Sequence, residues 1–220
     1  MPSKKSNTAT HFCKICHRPM DKNSIFGLVF AAKSICLRCF LELKPSYFHW
    51  KVEGVNAFGI YPYSQAFQSL IYAYKKCGDI ELWSAFFERL LPYLKFRYRD
   101  YILITAPSHI NKVEERGFDH VPTMFQGIGK RIMPIFEKTE DVKQSDQSKR
   151  ARARIASCIK LKPGATLRGE KVLLVDDIYT TGSTIKACLH LARTLHPKKI
   201  EILVAARVPR TRKRKKKASP

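Results

Sequence analysis

Acidic residues are scarce in this 220-residue sequence, with 18 Asp and Glu against 41 Lys and Arg and a formal net charge of +23. Eight of the positive residues lie between Arg207 and Lys217, and subtracting them leaves about +15 on the rest of the chain. The body is therefore basic in its own right. Such a charge favours polyanionic partners, either nucleic acid or the anionic face of a membrane, although a generally basic proteome also produces it.

The sequence also lacks any run of 18 apolar residues, which argues against a membrane-spanning helix. Its first ten residues, MPSKKSNTAT, contain basic side chains with no apolar stretch after them, so they do not resemble a secretory signal. Seven Cys in such a chain indicate a reducing compartment, where thiols stay free or bind metal. We therefore predict a cytoplasmic protein, and the Lys and Arg clusters leave open a place at the inner face of the cell membrane.

Composition divides the chain into three main parts. Residues 11–44 hold four of the seven Cys, and residues 45–206 alternate apolar strand-like runs with helical patterns. Residues 207–220 form a like-charge run with Pro, which predicts a basic disordered tail. Strands that alternate with helices imply βαβ crossovers and a mainly parallel sheet flanked by helices. We predict an α/β domain with a small N-terminal cysteine module.

The elements of the main block are predicted from its apolar periodicity. Strands are expected at Phe58 to Tyr63, Tyr101 to Ala106, Lys171 to Val175 and Ile200 to Ala206. Apolar residues spaced by three and four predict helices over residues 64–76, 82–94, 121–132 and 185–192.

The segment from Val172 to Thr184, VLLVDDIYTTGST, has the residue types of a phosphate and ribose site. Asp176 and Asp177 follow the apolar run, at the strand edge where open α/β sheets bind ligands, and a ribose diol can donate to both carboxylates. Gly182 permits a tight turn into the next helix, whose first N–H groups attract an anion. Four hydroxyls are available to phosphate oxygens, those of Thr180, Thr181, Ser183 and Thr184. An ordinary strand followed by a helix N-cap is the alternative interpretation.

These 13 residues resemble the binding motif of type I phosphoribosyltransferases over their whole length. The resemblance implies a type I phosphoribosyltransferase-like fold and a pocket for phosphoribosyl diphosphate, whose Mg²⁺ is carried mainly by the ligand and its waters. It also implies a second phosphate contact at Pro107 and Ser108, which follow a strand and look like the family's diphosphate loop. The segment Glu114 to Phe118 is expected to be mobile and to close over the ligand, with Arg116 meeting the diphosphate charge.

The cysteines of the N-terminal part form two CxxC pairs separated by 19 residues. This spacing is typical of a closed, structural Zn²⁺ site with four thiolate ligands, which are Cys13, Cys16, Cys36 and Cys39. His11 and His17 are alternative ligands, and a redox pair is the rival interpretation of either CxxC. The remaining cysteines are scattered and are predicted to be packing residues.

A four-Cys module before a phosphoribosyltransferase-like domain resembles the ComF family, the competence-associated proteins of transformable bacteria. Further landmarks stand in the family's order: Tyr61 to Asp79, Ala106 to Ser108, Arg116 to His120, and Gln144 followed by Arg152. Asp119 and His120 stand where the family has Asn and Gln. The resemblance implies a role in natural transformation, with single-stranded DNA, the uptake channel or an associated helicase as partners.

Three functions remain open from the sequence. The first is a competence protein that handles incoming single-stranded DNA, with phosphate contacts from Lys149, Arg150, Arg152, Arg154, Arg212, Lys213 and Arg214. Base stacking on Tyr72, Tyr74, Phe96 and Tyr98 has packing in the core as its alternative. The second is an active phosphoribosyltransferase, for which we recognise no nucleobase-specificity segment. The third is a regulator that senses phosphoribosyl diphosphate or a nucleotide in the same pocket.

Overall fold

The computed structural model describes residues 11–20, 34–139 and 158–209. Its strands are β1 (His11–Phe12), β2 (Pro19–Met20), β3 (Phe48–Val52), β4 (Val55–Pro62), β5 (Tyr101–Thr105), β6 (Phe136–Lys138), β7 (Ile159–Leu161), β8 (Lys171–Tyr179) and β9 (Lys199–Arg207). The main sheet has the order β3-β4-β9-β8-β5, in which β3 is antiparallel to β4 and the other neighbours are parallel. The predicted α/β fold with a mainly parallel sheet is confirmed.

The helices cover both faces of this sheet. They are α1 (Leu37–Glu42), α2 (Gln65–Lys76), α3 (Trp83–Phe87), α4 (Leu91–Arg97), α5 (Ile110–Arg116), α6 (His120–Met124) and α7 (Ser183–Arg193), with a 3₁₀ turn at Ile80–Leu82. One apolar cluster joins Leu173 and Val175 of β8 to residues of α2, α3, α4 and α6. The other joins Val172 and Leu174 to α7 and to the antiparallel pair of β6 and β7. Alternate residues of β8 therefore point to opposite layers, as strand geometry requires.

The single helix predicted over residues 82–94 is wrong, because the structure divides it into α3 and α4. Pro92 lies in the first turn of α4. A proline there costs no hydrogen bond, whereas inside a continuous helix it would remove one and clash with the preceding turn.

The helix predicted over residues 121–132 is also too long, since α6 ends at Met124. Gly127 and Gly129 both have positive φ, and a Cβ at Gly129 would lie 2.3 Å from Leu103 Cδ1. The chain therefore turns here and passes close to β5, where Ile132 forms a bridge with Leu103.

Other features were not predicted. The edge strand β3 and the antiparallel pair of β6 and β7 have no counterpart among the expected elements. Cys158 and Cys188 are buried, as expected of packing residues, but Cys77 is exposed and that prediction is wrong. Strand β9 runs through Arg207, the first residue of the predicted tail. In the described parts of the chain, no helix combines the length and the apolar character needed to cross a membrane.

Candidate functional site

A cavity of about 280 Å³ opens at the carboxyl ends of β5 and β8. Seven of the ten residues predicted to bind the ligand line it, namely Pro107, Ser108, Arg116, Asp176, Asp177, Thr180 and Thr184. Its lining also includes Tyr63, Lys75, His109, Lys112, His120 and Lys138, which were not predicted as site residues. Four of the lining side chains are Lys or Arg and two are Asp. The cavity is therefore suited to a ligand with several negative charges.

The loop between β8 and α7 has the tight backbone that its sequence predicts. Gly182 has φ +78° and precedes the first residue of α7. A Cβ at this position would lie 2.3 Å from the Tyr179 hydroxyl, so the loop requires glycine both for its conformation and for space. Thr181 and Ser183 do not line the cavity but hydrogen-bond to each other through their hydroxyls at 2.9 Å. The loop thus presents Thr180, Thr184 and the helix N-terminus to the cavity.

Strand β8 does not end at Val175 as predicted but continues through both aspartates to Tyr179. The reason is that β9 pairs with this part of the strand as well, for example at Asp176 with Val204. Asp176 and Asp177 therefore start on opposite faces of the sheet. The two carboxyl groups have different environments, although both reach the cavity.

Asp177 is held by two side chains from other elements. Its Oδ2 accepts a hydrogen bond from Lys75 Nζ at 2.5 Å and lies 3.4 Å from His120 Nε2. Its Oδ1 accepts from the backbone N–H of Ile178 at 2.7 Å. Burial on its own would raise the pKa of Asp177, but the Lys75 ammonium and the His120 contact outweigh it and hold the pKa well below the usual range. Asp177 is therefore ionised and already paired.

Asp176 is the more weakly ionised of the two aspartates. Burial and the nearby negative charge of Asp177 raise its pKa well above the usual range. Its Oδ1 accepts from the Asp177 N–H at 2.9 Å. Of the two carboxyl groups, Asp176 is thus the one without a cationic side chain in contact among the described residues.

The geometry around His120 assigns its tautomer. Arg116 Nη1 lies 2.9 Å from His120 Nδ1, and a guanidinium can only donate. Nδ1 is therefore the acceptor, and the ring proton is on Nε2, facing Asp177 Oδ2. Burial lowers the pKa of His120, and its hydrogen bond to Asp177 only partly offsets this. The ring is accordingly neutral, and it links Arg116 to Asp177.

The segment predicted to be mobile has regular structure here. Glu114 to Arg116 form the last turn of α5, and Gly117 closes that helix with φ +77°. Arg116 faces the cavity from this turn. Ser108, which also lines the cavity, donates a hydrogen bond to Asp119 Oδ1 at 2.8 Å.

The four predicted metal ligands lie together at the N-terminal end of the described chain. The Sγ atoms of Cys13, Cys16, Cys36 and Cys39 are all within 4.8 Å of one another, close enough for a small movement to bring all four onto one ion. The Cys36 N–H lies 3.4 Å from Cys13 Sγ. Burial opposes ionisation of Cys13, but backbone N–H groups, including that of Cys36, lower its pKa to about 7. The cluster is a candidate metal site.

The cysteine cluster packs directly on the main domain. Cys13, Ile35, Cys39 and Leu43 belong to the same apolar cluster as α2 and α3. At its edge, Lys14 Nζ contacts Glu81 Oε2 at 2.9 Å, and the Ser34 N–H donates to Glu88 Oε2 at 2.7 Å. Loss of the cluster therefore exposes part of the main core.

Comparison with known proteins agrees with this architecture. The family model described as Phosphoribosyl transferase domain matches residues 132–219. Competence protein ComFC of Streptococcus pneumoniae is 33% identical over 138 residues, which are 62% of this chain and 62% of that protein. Competence protein ComFC of Bacillus subtilis is 22% identical over 191 residues, or 83% of this chain and 72% of that protein. The chain is similar to these ComFC competence proteins over most of its length.

This ComFC-like chain thus combines a match to the phosphoribosyl transferase domain model, a mainly parallel five-stranded sheet and an N-terminal four-cysteine cluster. It spans 62% of the length of the pneumococcal relative. Among solved structures, adenine phosphoribosyltransferase from Saccharomyces cerevisiae is 15% identical, with 79% of this chain and 90% of that chain covered and a TM-score of 0.39.

The residues predicted to contact nucleic acid lie outside the described part of the ComFC-like chain. They are Lys149, Arg150, Arg152, Arg154, Arg212, Lys213 and Arg214, and Gln144 of the family landmark lies there as well. Of the aromatic candidates, Tyr74 and Tyr98 are buried in the core, whereas Tyr72 and Phe96 are exposed.

The buried imidazole of His120 predicts a loss of stability in mild acid. Because its folded-state pKa lies below 6.5, the unfolded chain binds a proton first as the pH falls. Lys75 and Arg116 oppose protonation of the folded state, while Asp177 and Asp119 favour it less strongly than burial disfavours it. Below about pH 6.5 the free energy of unfolding should therefore fall, by up to about 1.4 kcal/mol per pH unit, until the folded imidazole is protonated.

Urea unfolding of the wild type and His120→Gln at several pH values between about 5 and 7.5 checks this expectation, since the variant should lose this part of the pH dependence. His11→Gln, at an exposed position, is the matched control. Equal slopes for wild type and His120→Gln would contradict a neutral buried imidazole.

Proposed function

We propose that this ComFC-like chain binds phosphoribosyl diphosphate or a closely related phosphate ligand in its cavity and handles single-stranded DNA during natural transformation. The observation that carries the pocket part is the meeting of four cationic side chains, two aspartates and the 180–184 loop in one cavity. The DNA part is supported by the competence proteins to which the chain is similar and by its charge of +23.

Each part of the cavity has a task in this proposal. The backbone N–H groups of the 180–184 loop and the start of α7 bind the 5-phosphate. Arg116, Lys112 and Lys138 neutralise the diphosphate, and Asp176 accepts hydrogen bonds from the ribose hydroxyls. Lys75, fixed by Asp177, adds a further positive charge. When bound, Mg²⁺ would neutralise the diphosphate oxygens, and Asp176 is the residue of this chain that would hold its waters, since Asp177 is already paired with Lys75 and His120.

For the cysteine cluster we propose structural Zn²⁺, because four thiolates leave no open position for chemistry. The proposed organisation is a zinc module over residues 11–44, the main domain from residue 45 to the end of β9 at Arg207, and a basic tail after it. We place the protein in the cytoplasm, where incoming DNA, the uptake channel or a helicase is accessible.

Single-stranded DNA binding is expected to weaken steeply with salt. The logarithm of the binding constant should fall linearly with the logarithm of salt concentration, with a slope of about −0.7 for each phosphate contact. Truncation after Pro209 removes seven Lys and Arg, at 210 and 212–217, and should make the slope shallower by up to about 5. Fluorescence anisotropy of a labelled oligo(dT) between low and physiological salt measures both.

Truncation after Pro209 is preferable to a cut at residue 206. Arg207 belongs to β9, and its guanidinium lies 4.4 Å from the ring centroid of Trp50. A cut before Arg207 would shorten β9 as well as remove the tail. A full-length chain that fails to bind oligo(dT) at low salt would eliminate the DNA part of the proposal.

The second candidate function is phosphoribosyl transfer, which the match to the Phosphoribosyl transferase domain model favours. An active transferase releases diphosphate from phosphoribosyl diphosphate when the correct acceptor is present. A panel of nucleobases, each assayed with Mg²⁺ for diphosphate release, separates this candidate from ligand binding without turnover. A sensing regulator would bind the ligand and give no release with any base.

A further inference from the structure

Helix α4 carries two aromatic side chains that lie outside the core. Phe96 is 71% exposed and Tyr93 is 51% exposed. They are three residues apart and thus lie on the same helix face, whereas Leu94 points inward and is fully buried. Exposing a large apolar ring is unfavourable, so neighbouring rings on one outer face indicate a binding surface.

Cationic side chains lie near these rings. The Arg99 guanidinium lies 4.7 Å from the centroid of Phe96, and Lys95, which precedes Phe96 in the helix, is exposed. Arg97, on the next position of the helix, lies 5.9 Å from the ring centroid of Phe58. We call Tyr93, Lys95, Phe96, Arg97 and Arg99 the α4 surface.

Beside the α4 surface, Arg97 contacts Phe58 of β4, whose ring is buried with 5% exposure. The ring of Phe58 stacks on His49 at 4.8 Å and on Tyr47 at 6.3 Å, and both of these residues are exposed. The exposed rings of Tyr47 and His49 therefore reach the α4 surface only through Phe58, which is buried and does not itself contact a ligand.

The α4 surface lies near the amino ends of the parallel strands, whereas the cavity lies at their carboxyl ends. Arg97 contacts Glu201 near the start of β9, and Tyr98 packs against Tyr101 at the start of β5. The cavity opens instead at the carboxyl ends of β5 and β8. A molecule bound to the α4 surface does not compete for the ligand pocket.

We propose that the α4 surface is the base-stacking platform for single-stranded nucleic acid, which rests on the proposed DNA-handling function. Bases stack on Phe96 and Tyr93, while Lys95, Arg97 and Arg99 contact the backbone phosphates. Charge selects this occupant over a second copy of the chain, because two copies facing each other here would bring cations against cations. A polyanion with flat bases matches both the charge and the rings.

Anisotropy titrations of a labelled oligo(dT) with the full chain test the proposal. Phe96→Ala and Tyr93→Ala are each expected to weaken binding roughly 5-fold to 100-fold with little change in salt slope, because they remove stacking and no charge. Arg99→Ala should make the slope shallower by about 0.7. Saturating phosphoribosyl diphosphate should leave the affinity of the wild type unchanged.

The matched control is Phe12→Ala, which removes an aromatic ring that is 55% exposed on β1, outside the α4 surface. Phe96→Trp should retain binding, and its added indole fluorescence should be quenched by the oligonucleotide if a base stacks there. Thermal unfolding of every variant shows whether the fold is kept, and Phe96→Trp gives an answer even if Phe96→Ala is unstable.

The outcomes separate this inference from the function on which it rests. If the wild type does not bind oligo(dT) at low salt, the DNA-handling function itself fails. If the wild type binds and the α4 variants bind equally well, only the stacking platform is eliminated. An equal loss in Phe12→Ala, or a change of oligomeric state in Phe96→Ala without a change in DNA affinity, overturns it too.

Discussion

Replacing Cys39 with Ser is expected to abolish stoichiometric metal binding and to lower the unfolding temperature by roughly 8 to 16 °C. An ion that binds only the folded state contributes about 4 kcal/mol when present at about 1,000 times its dissociation constant. For a chain of this size each kcal/mol corresponds to a shift of about 2–4 °C. The effect should reach the whole domain, because Cys13 and Cys39 share the apolar cluster of α2 and α3.

Elemental analysis and differential scanning calorimetry measure the two effects. The wild type should contain about one equivalent of zinc, and a strong chelator should reproduce the lower unfolding temperature of Cys39→Ser. Cys77→Ser, which alters an exposed cysteine outside the cluster, is the matched control and should change neither quantity. A metal-free wild type with unchanged stability, or iron and acid-labile sulfide in place of zinc, would contradict the assignment.

The parts of the site that could be predicted are those that short local sequence motifs specify. The apolar runs before Pro107 and Asp176 indicate buried strands, and Gly182 indicates a tight turn into a helix. Parallel strands bring their carboxyl ends to one edge, so the loops after both strands were expected to meet there. The two CxxC pairs likewise predict a cluster of four thiolates, which the structure shows.

The rest depends on contacts between distant parts of the chain. Lys75 and Asp177 are 102 residues apart, and no local pattern connects an ordinary helix lysine with the end of β8. Lys75 does occur in the stretch that resembles the ComF family, and this was the available signal. His120 was noted only as a departure from that family. The positions of Lys75 and His120 in the site therefore depend on tertiary packing and could not be predicted from local sequence.

The edge strand β3 illustrates a local signal that was present but weak. Val52 pairs with Val55 across a two-residue turn, Glu53 and Gly54, in which both residues have positive φ. This geometry is typical of a tight hairpin, for which Asn-Gly or Asp-Gly is the strong signature. Because Glu is a poor residue for positive φ, the turn was not recognised and the antiparallel edge was missed.

Single substitutions of Lys75 or Asp177 are expected to cost stability that the double substitution restores. Lys75→Met leaves the Asp177 carboxylate buried without its ammonium partner, and Asp177→Asn leaves the ammonium without its carboxylate. Each should destabilise the fold by roughly 3 kcal/mol, the lower end for a buried pair, because the Lys75 side chain keeps 24% of its exposure. The double variant leaves no unpaired charge and should fall within about 1 kcal/mol of the wild type.

The double variant is expected to recover stability but not affinity for the ligand. Isothermal titration with phosphoribosyl diphosphate and Mg²⁺ should show affinity weakened roughly 10-fold to 100-fold in Lys75→Met and also in the double variant. The physical reason is that a charged hydrogen bond to the ligand is lost in both, whether or not the fold is stable. Lys76→Met, on the neighbouring residue of α2, is the control for loss of one positive charge and should bind normally.

The comparison between the double variant and Lys75→Met is what separates a binding role from a structural one. If the pair only stabilises the fold, restoring stability in the double variant should restore ligand affinity as well. If Lys75 meets the ligand, the double variant is stable and still binds weakly, which is the result that we expect. Asp176→Asn should likewise be stable and bind the ligand weakly. Among the described residues its carboxyl group has no cationic partner, so the substitution leaves no charge unpaired.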